Sequence, residues 1–167
     1  MSAPAPLTRR ALLFGESPVG TVAMRPPRAV EAGLFAERCT RCDDCVRACP
    51  EQVLVRDGDG LPRFDPTRGE CTFCGDCVQA CASGALQASV APPWELRASV
   101  HEGCLPAHGV VCASCREVCP ESAIHVAPGA RGAATVDAAR CSGCGACVAI
   151  CPVGAITLAA LPQEAMA

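Results

Sequence analysis

The chain has 167 residues and a formal charge of −3, with 16 cysteines and aromatic residues at only 3%. At this length, near one ordinary domain, so few large side chains leave a thin conventional core, and the acidic balance argues against nonspecific nucleic-acid binding. All 14 basic residues are arginine, which excludes a phosphate-loop lysine and a Schiff-base lysine.

Residues 1–38 are rich in Pro, Ala and Arg and show no sustained periodicity, so an irregular N-terminal arm is expected. Within it, Thr8-Arg9-Arg10-Ala11-Leu12-Leu13-Phe14 has the look of a twin-arginine export signal. Its apolar stretch stops at Gly15-Glu16-Ser17-Pro18 and no cleavage site follows, so a cytoplasmic protein is expected. Arg9 and Arg10 are the candidate partner contact, set against the plainer reading of a solvated charged terminus.

Four cysteine packets follow. Cys39, Cys42, Cys45 and Cys49, then Pro50, have the spacing of bacterial ferredoxin loops that bind cubane [4Fe–4S] clusters. The second packet, Cys71, Cys74, Cys77 and Cys81, repeats that spacing, as does the fourth, Cys141, Cys144, Cys147 and Cys151. The third keeps Cys112, Cys115 and Cys119 in register and moves its first cysteine back to Cys104, behind a longer loop. A cubane offers irons at tetrahedral corners, so three thiolates must come from one tightly wound loop while the fourth arrives from elsewhere. In two-cluster ferredoxins the fourth cysteine of a motif ligates the other cluster, so motifs work in pairs. Small residues such as Gly75, Ser142, Gly143, Gly145 and Ala146 leave room for backbone N–H groups to point at sulfur.

The rival uses of cysteine fit less well. Disulfides need an oxidising compartment, and no cleavable secretory signal is evident. Zinc sites combine two separated cysteine pairs, whereas these packets carry three or four closely spaced cysteines each. Four [4Fe–4S] clusters held by all sixteen cysteines are therefore expected. They would take over much of the role of a core, because a centre that forms only in the folded state contributes directly to folding.

Between packets a short apolar strand, a turn and a return recur. Val53-Leu54-Val55 leads through Asp57–Gly60 to Pro62-Arg63-Phe64, and Ala123–Val126 leads through Pro128–Gly132 to Ala134-Thr135-Val136. Ala85–Ala88 leads to Pro92-Pro93-Trp94-Glu95-Leu96, and Ala155–Leu158 closes the pattern. Helical turns are expected near Asp76–Ala80 and Ala146–Ile150. The fold class that follows is a small α+β protein, two 2[4Fe–4S] bacterial ferredoxin-type units in tandem, over residues 39–90 and 100–161. Sequential pairing groups Cys39, Cys42, Cys45 with Cys81; Cys71, Cys74, Cys77 with Cys49; Cys104, Cys112, Cys115 with Cys151; and Cys141, Cys144, Cys147 with Cys119. A nested pairing, motif one with four and two with three, stays open. Trp94 is expected to pack the linker against a cluster loop, and His108 to play no ligand role beside four available cysteines. The longest apolar run, Val148–Leu161, is interrupted by Pro152 and Thr157 and falls short of a membrane span.

Thr8-Arg9-Arg10, Arg25-Pro26-Pro27, Cys39-Thr40-Arg41-Cys42-Asp43, Trp94-Glu95-Leu96, the long-spaced third motif beginning Cys104-Leu105, and Cys141–Cys147 are spread over nearly the whole chain. Together they resemble the NapF family, ferredoxin-type accessory proteins of periplasmic nitrate reductase systems. Ala82 departs from the pattern, standing where a proline often follows the fourth cysteine. The resemblance implies a cytoplasmic protein with four [4Fe–4S] clusters that contacts the catalytic molybdenum subunit of nitrate reductase before export and assists its maturation. No nucleophile–base set, phosphate loop or dinucleotide fingerprint is visible, so independent catalysis is not expected. Two other classes stay open: an electron-transfer polyferredoxin exchanging electrons with redox partner proteins, and an iron–sulfur subunit of an oxidoreductase complex.

Overall fold

A computed structural model describes residues 24–91 and 93–160; Arg9, Arg10 and the export-like segment lie outside them. The described chain is a small mixture of short helices and two-stranded sheets. In the first half, α1 (Ala32–Arg38) and α2 (Asp44–Ala48) precede the hairpin of β1 (Leu54–Arg56) and β2 (Pro62–Phe64), and α3 (Asp76–Gln79) follows. In the second half come β3 (Leu96–Val100), a 3₁₀ turn over Leu105–His108, and α4 (Ser114–Glu117). The hairpin of β4 (Ile124–His125) and β5 (Thr135–Val136), then α5 (Ala146–Ala149) and β6 (Ile156–Ala160), complete it.

The hairpins form where turn chemistry calls for them. Asp57 accepts hydrogen bonds from the Asp59 and Leu61 amides at 2.9 and 2.8 Å, closing β1 onto β2 with Leu54 opposite Phe64. Each hairpin exits through the same aspartate device. The amides of Asp65 and Asp137 donate at 2.8 Å to the carbonyls of Val53 and Ala123, and their side chains then accept from the amides of Thr67 and Ala139.

Each half also closes on itself. In the second, β3 pairs antiparallel with β6, Leu96 opposite Ala160 and Val100 opposite Ile156. In the first, the equivalent pairing shrinks to one bridge, Ala29 to Leu86. Three sequence expectations change here. The arm expected over residues 1–38 is ordered in its last part: Ala32–Arg38 are helical, Pro26, Val30 and Phe35 are buried, and the Phe64 amide donates to Met24. The strand containing Leu96, which starts ahead of the second unit expected over residues 100–161, belongs with the C-terminal strand. The run Ala85–Ala88 does not fold back on Pro93–Leu96; Leu86 turns to Ala29 instead.

The core is as thin as the composition suggests. Phe64, Val53 and Pro26 are the largest fully buried side chains, and alanines 85, 98, 123, 134 and 155 fill much of the remainder alongside Cys45, Cys77, Cys104 and Cys147. No helix among the described residues is long and apolar enough to cross a membrane.

Candidate metal centres

Three of the four cysteine loops are wound by the same backbone device. Between the first and third cysteines of motifs one, two and four, two residues take the left-handed conformation: Arg41 and Asp43, Phe73 and Gly75, Gly143 and Gly145. Left-handed backbone costs a non-glycine residue roughly 1–2 kcal/mol, so placing it at Arg41, Asp43 and Phe73 needs a compensating gain. Thiolates bound to a common centre would supply one. Motif three lacks this winding. Ala113 has φ of −138°, and the left-handed residue is Gly109, at the end of the 3₁₀ turn that separates Cys104 from Cys112. The long spacing is thus a loop that delivers a buried Cys104 from the end of β3 side of the fold.

Two of the four sets of the sequential pairing each line a cavity. Cys39, Cys42, Cys45 and Cys81 line one cavity, and Cys104, Cys112, Cys115 and Cys151 line another. Neighbouring thiols raise one another across the expected sets as well as within them, Cys77 adding to the rise at Cys45 and Cys115 to that at Cys147. Burial pushes the Cys77 thiol up from 9.0 to about 11, with Cys71, Cys74 and Cys49 adding to the rise. Burial likewise pushes Cys147 up to about 12, helped most by Cys144 and Cys141, then by Cys115 and Cys119. Cys45 and Cys71 also rise to about 11, first through burial. Thiols so raised stay protonated at neutral pH unless a cationic centre offsets the clustered charge.

The fourth cysteines receive backbone donors from just beyond their own motif. The amides of Leu86, Ala123 and Ala155 lie 3.4, 3.3 and 3.2 Å from the sulfurs of Cys81, Cys119 and Cys151. Ser83 is 3.6 Å from the Cys81 sulfur; burial alone would raise that thiol, but the Ser83 and backbone hydrogen bonds outweigh it and lower its pKa. These donors were not visible in the sequence, which pointed to the small loop residues instead. Their signal is positional: a left-handed residue, Gln52, Gly84, Ser122 or Gly154, stands three places after each fourth cysteine. That turn brings the following amides back toward sulfur at three of the four sites.

Other candidates resolve simply. His108 Nε2 donates to the Glu102 carbonyl at 2.7 Å and does not line the Cys104 cavity. Trp94 Nε1 donates to the Ser142 carbonyl at 3.0 Å, so the tryptophan packs against the motif-four loop.

The donor set fits a cluster. All four sets are thiols, the soft ligands that select iron–sulfur clusters or zinc. Among the described residues no three His, Cys, Asp or Glu converge as one metal ion would require. Four thiols around one cavity are the donor set that an iron–sulfur cluster takes.

Comparison with known proteins agrees. Residues 38–86 match a 4Fe-4S dicluster domain, which spans motifs one and two together, and residues 134–157 match a 4Fe-4S binding domain over motif four. The chain is 42% identical over 145 residues to the ferredoxin-type protein NapF of Haemophilus influenzae, covering 86% of this chain and 82% of that one. It is 35% identical over 152 residues to NapF of Escherichia coli K12, covering 90% and 93% respectively. It is also 34% identical over 174 residues to the methylamine utilization ferredoxin-type protein MauM of Paracoccus denitrificans, covering 92% and 78%. With its cysteine loops, two-stranded sheets and these relatives, the chain belongs to the NapF family of ferredoxin-type proteins.

Proposed function

We propose that the sixteen cysteines hold four [4Fe–4S] clusters in two tandem ferredoxin-like units, and that the protein is a non-catalytic accessory factor of periplasmic nitrate reductase. In this reading it works in the cytoplasm, binding the catalytic molybdenum subunit and assisting its maturation before export. The observation that supports the cluster count is the grouping of four cysteines around each of two cavities, together with the four repeated cysteine packets of the sequence. The partner reading rests on the identity to NapF proteins over most of the chain. Arg9 and Arg10 are the partner contact we favour, being a compact pair of charges ahead of the cysteine-rich body.

Similarity to MauM, a ferredoxin-type protein of methylamine utilization, favours a second reading in which the chain is an electron carrier serving an oxidoreductase in turnover. An anaerobic pull-down of the nitrate reductase catalytic subunit, in cluster-free and cluster-loaded forms, separates the two. Strong preference for the cluster-free subunit is expected, and Arg9→Ala with Arg10→Ala weakens it. Equal binding of both forms, or none, contradicts the maturation role and favours the carrier.

A further inference from the structure

The motif-two and motif-four loops are interlocked. The Cys71 amide donates to the Cys144 carbonyl at 2.8 Å, joining residues more than seventy positions apart. Beside that bond, Trp94 donates to Ser142 on the motif-four side, while its ring lies 4.7 Å from Phe64 and 5.3 Å, edge-on, from Phe73 inside the motif-two loop. The two motif-four glycines make the fit possible. A Cβ at Gly143 would run into the Leu96 carbonyl and the Trp94 indole nitrogen, and one at Gly145 would come within 2.9 Å of the Phe64 ring and 3.0 Å of Pro66. Both also need positive φ.

We infer that Trp94 is a positioning residue that fixes this seam, so that the cysteine sets stand in the spatial order of motifs one, two, four and three. The seam joins the Cys71 set to the Cys141 set, leaving the Cys39 and Cys104 sets as the outer ends. This rests on the four-cluster reading. Chain order would have put motif three next to motif two; the structure puts motif four there, with the Cys71 amide on the Cys144 carbonyl and Trp94 on the Ser142 carbonyl. A partner exchanging electrons with the protein would then meet one of the two outer sets, and the Cys71 and Cys141 sets would be the only link between halves.

The test uses the full cluster-loaded chain with Trp94→Ala and Trp94→Phe. Three measurements are made on each: iron content, the spin–spin broadening of the reduced-cluster electron paramagnetic resonance spectrum, and amide exchange at Cys71. Coupling between sets within one half does not involve Trp94 and serves as the internal control. Trp94→Ala is expected to keep its iron, lose the part of the broadening that comes from across the seam, and speed Cys71 exchange about tenfold. Trp94→Phe keeps the ring contacts and loses only the Ser142 bond, so a smaller change in the same direction is expected. Full iron with unchanged broadening and exchange in Trp94→Ala overturns the inference. Should Trp94→Ala lose iron, Trp94→Phe decides, and no change in its exchange or spectrum overturns the inference equally. Fewer than four clusters in the unaltered protein would instead defeat the four-cluster reading, while Cys71 exchange still reports on the seam.

Discussion

The two halves use one cysteine framework and support it differently. In the first, arginines stitch the loops together: Arg41 donates to the Asp59 carbonyl at 3.0 Å, Arg68 to Gln52 at 3.0 Å, Arg28 to Ala88 and Val90, and Arg56 pairs with Asp43 inside the motif-one loop. The second half, among its described residues, has Arg97 bonded to Ala138 and otherwise leans on the five-residue β3–β6 ladder. Its surface is more apolar, with Val110, Val111, Val118, Ile150 and Val153 exposed, against Leu34 in the first half. The cavities do not share this contrast: Phe35, Pro62 and Leu86 line the Cys39 set beside Thr40 and Arg41, and Leu105, Val153 and Ile156 line the Cys104 set beside Ser114. The halves share a hairpin, its aspartate turn and the left-handed residue after the fourth cysteine, while the loop winding is common to motifs one, two and four. The packing around these features differs between the halves.

The sharpest way to break this comparison is to remove the iron. If the clusters substitute for a core in both halves, the iron-free chain has no cooperative thermal transition and little near-ultraviolet dichroism. A native-like transition in only one half would show that half to be held by its polypeptide alone, with the β3–β6 half the better placed to survive.

Next in size is the exchange of fourth cysteines. Cys81→Ser is expected to cost the cluster of the Cys39 set, and Cys151→Ser that of the Cys104 set, each removing about four irons per chain. Loss of cluster signal from the opposite half in either variant would restore the nested pairing.

Alkaline titration of the iron-free chain sharpens the picture further. Folded thiols raised from 9.0 to about 11 at Cys45, Cys71 and Cys77, and to about 12 at Cys147, bind more protons than unfolded ones in that window. Any residual structure is therefore fully stabilised below pH 9 and loses stability as the pH climbs to about 12. The cluster-loaded protein, whose cysteines are already deprotonated, is expected to show no such loss from these thiols. Circular dichroism against pH checks both.

The smallest effect is expected at the surface stitches. Arg56→Ala removes an exposed ion pair and is expected to cost roughly 0.5–1 kcal/mol in the first half, read by chemical denaturation, with no effect on the Cys104 set.

Much of this was legible in the sequence, because cysteine spacing and turn residues are local signals. The loops, both hairpins with their turns at Asp57–Gly60 and Gly129–Gly132, and the short helices at Asp76 and Ala146 all follow from runs of a few residues. What escaped was long-range or unpatterned. β3 finds its partner about sixty residues away, and nothing local in Leu96–Val100 names Ile156–Ala160 as that partner. The helix Ala32–Arg38 buries only Phe35, too little for an apolar period to show. The seam at Trp94 depends on where three aromatic rings and two glycines meet in space.

Iron and acid-labile sulfide per chain, with Mössbauer spectroscopy on anaerobically purified protein, decide whether the sixteen cysteines hold four clusters. About sixteen irons and as many sulfides per chain are expected, all in cubane clusters. About eight irons, or zinc in place of iron in either half, would contradict the four-cluster reading.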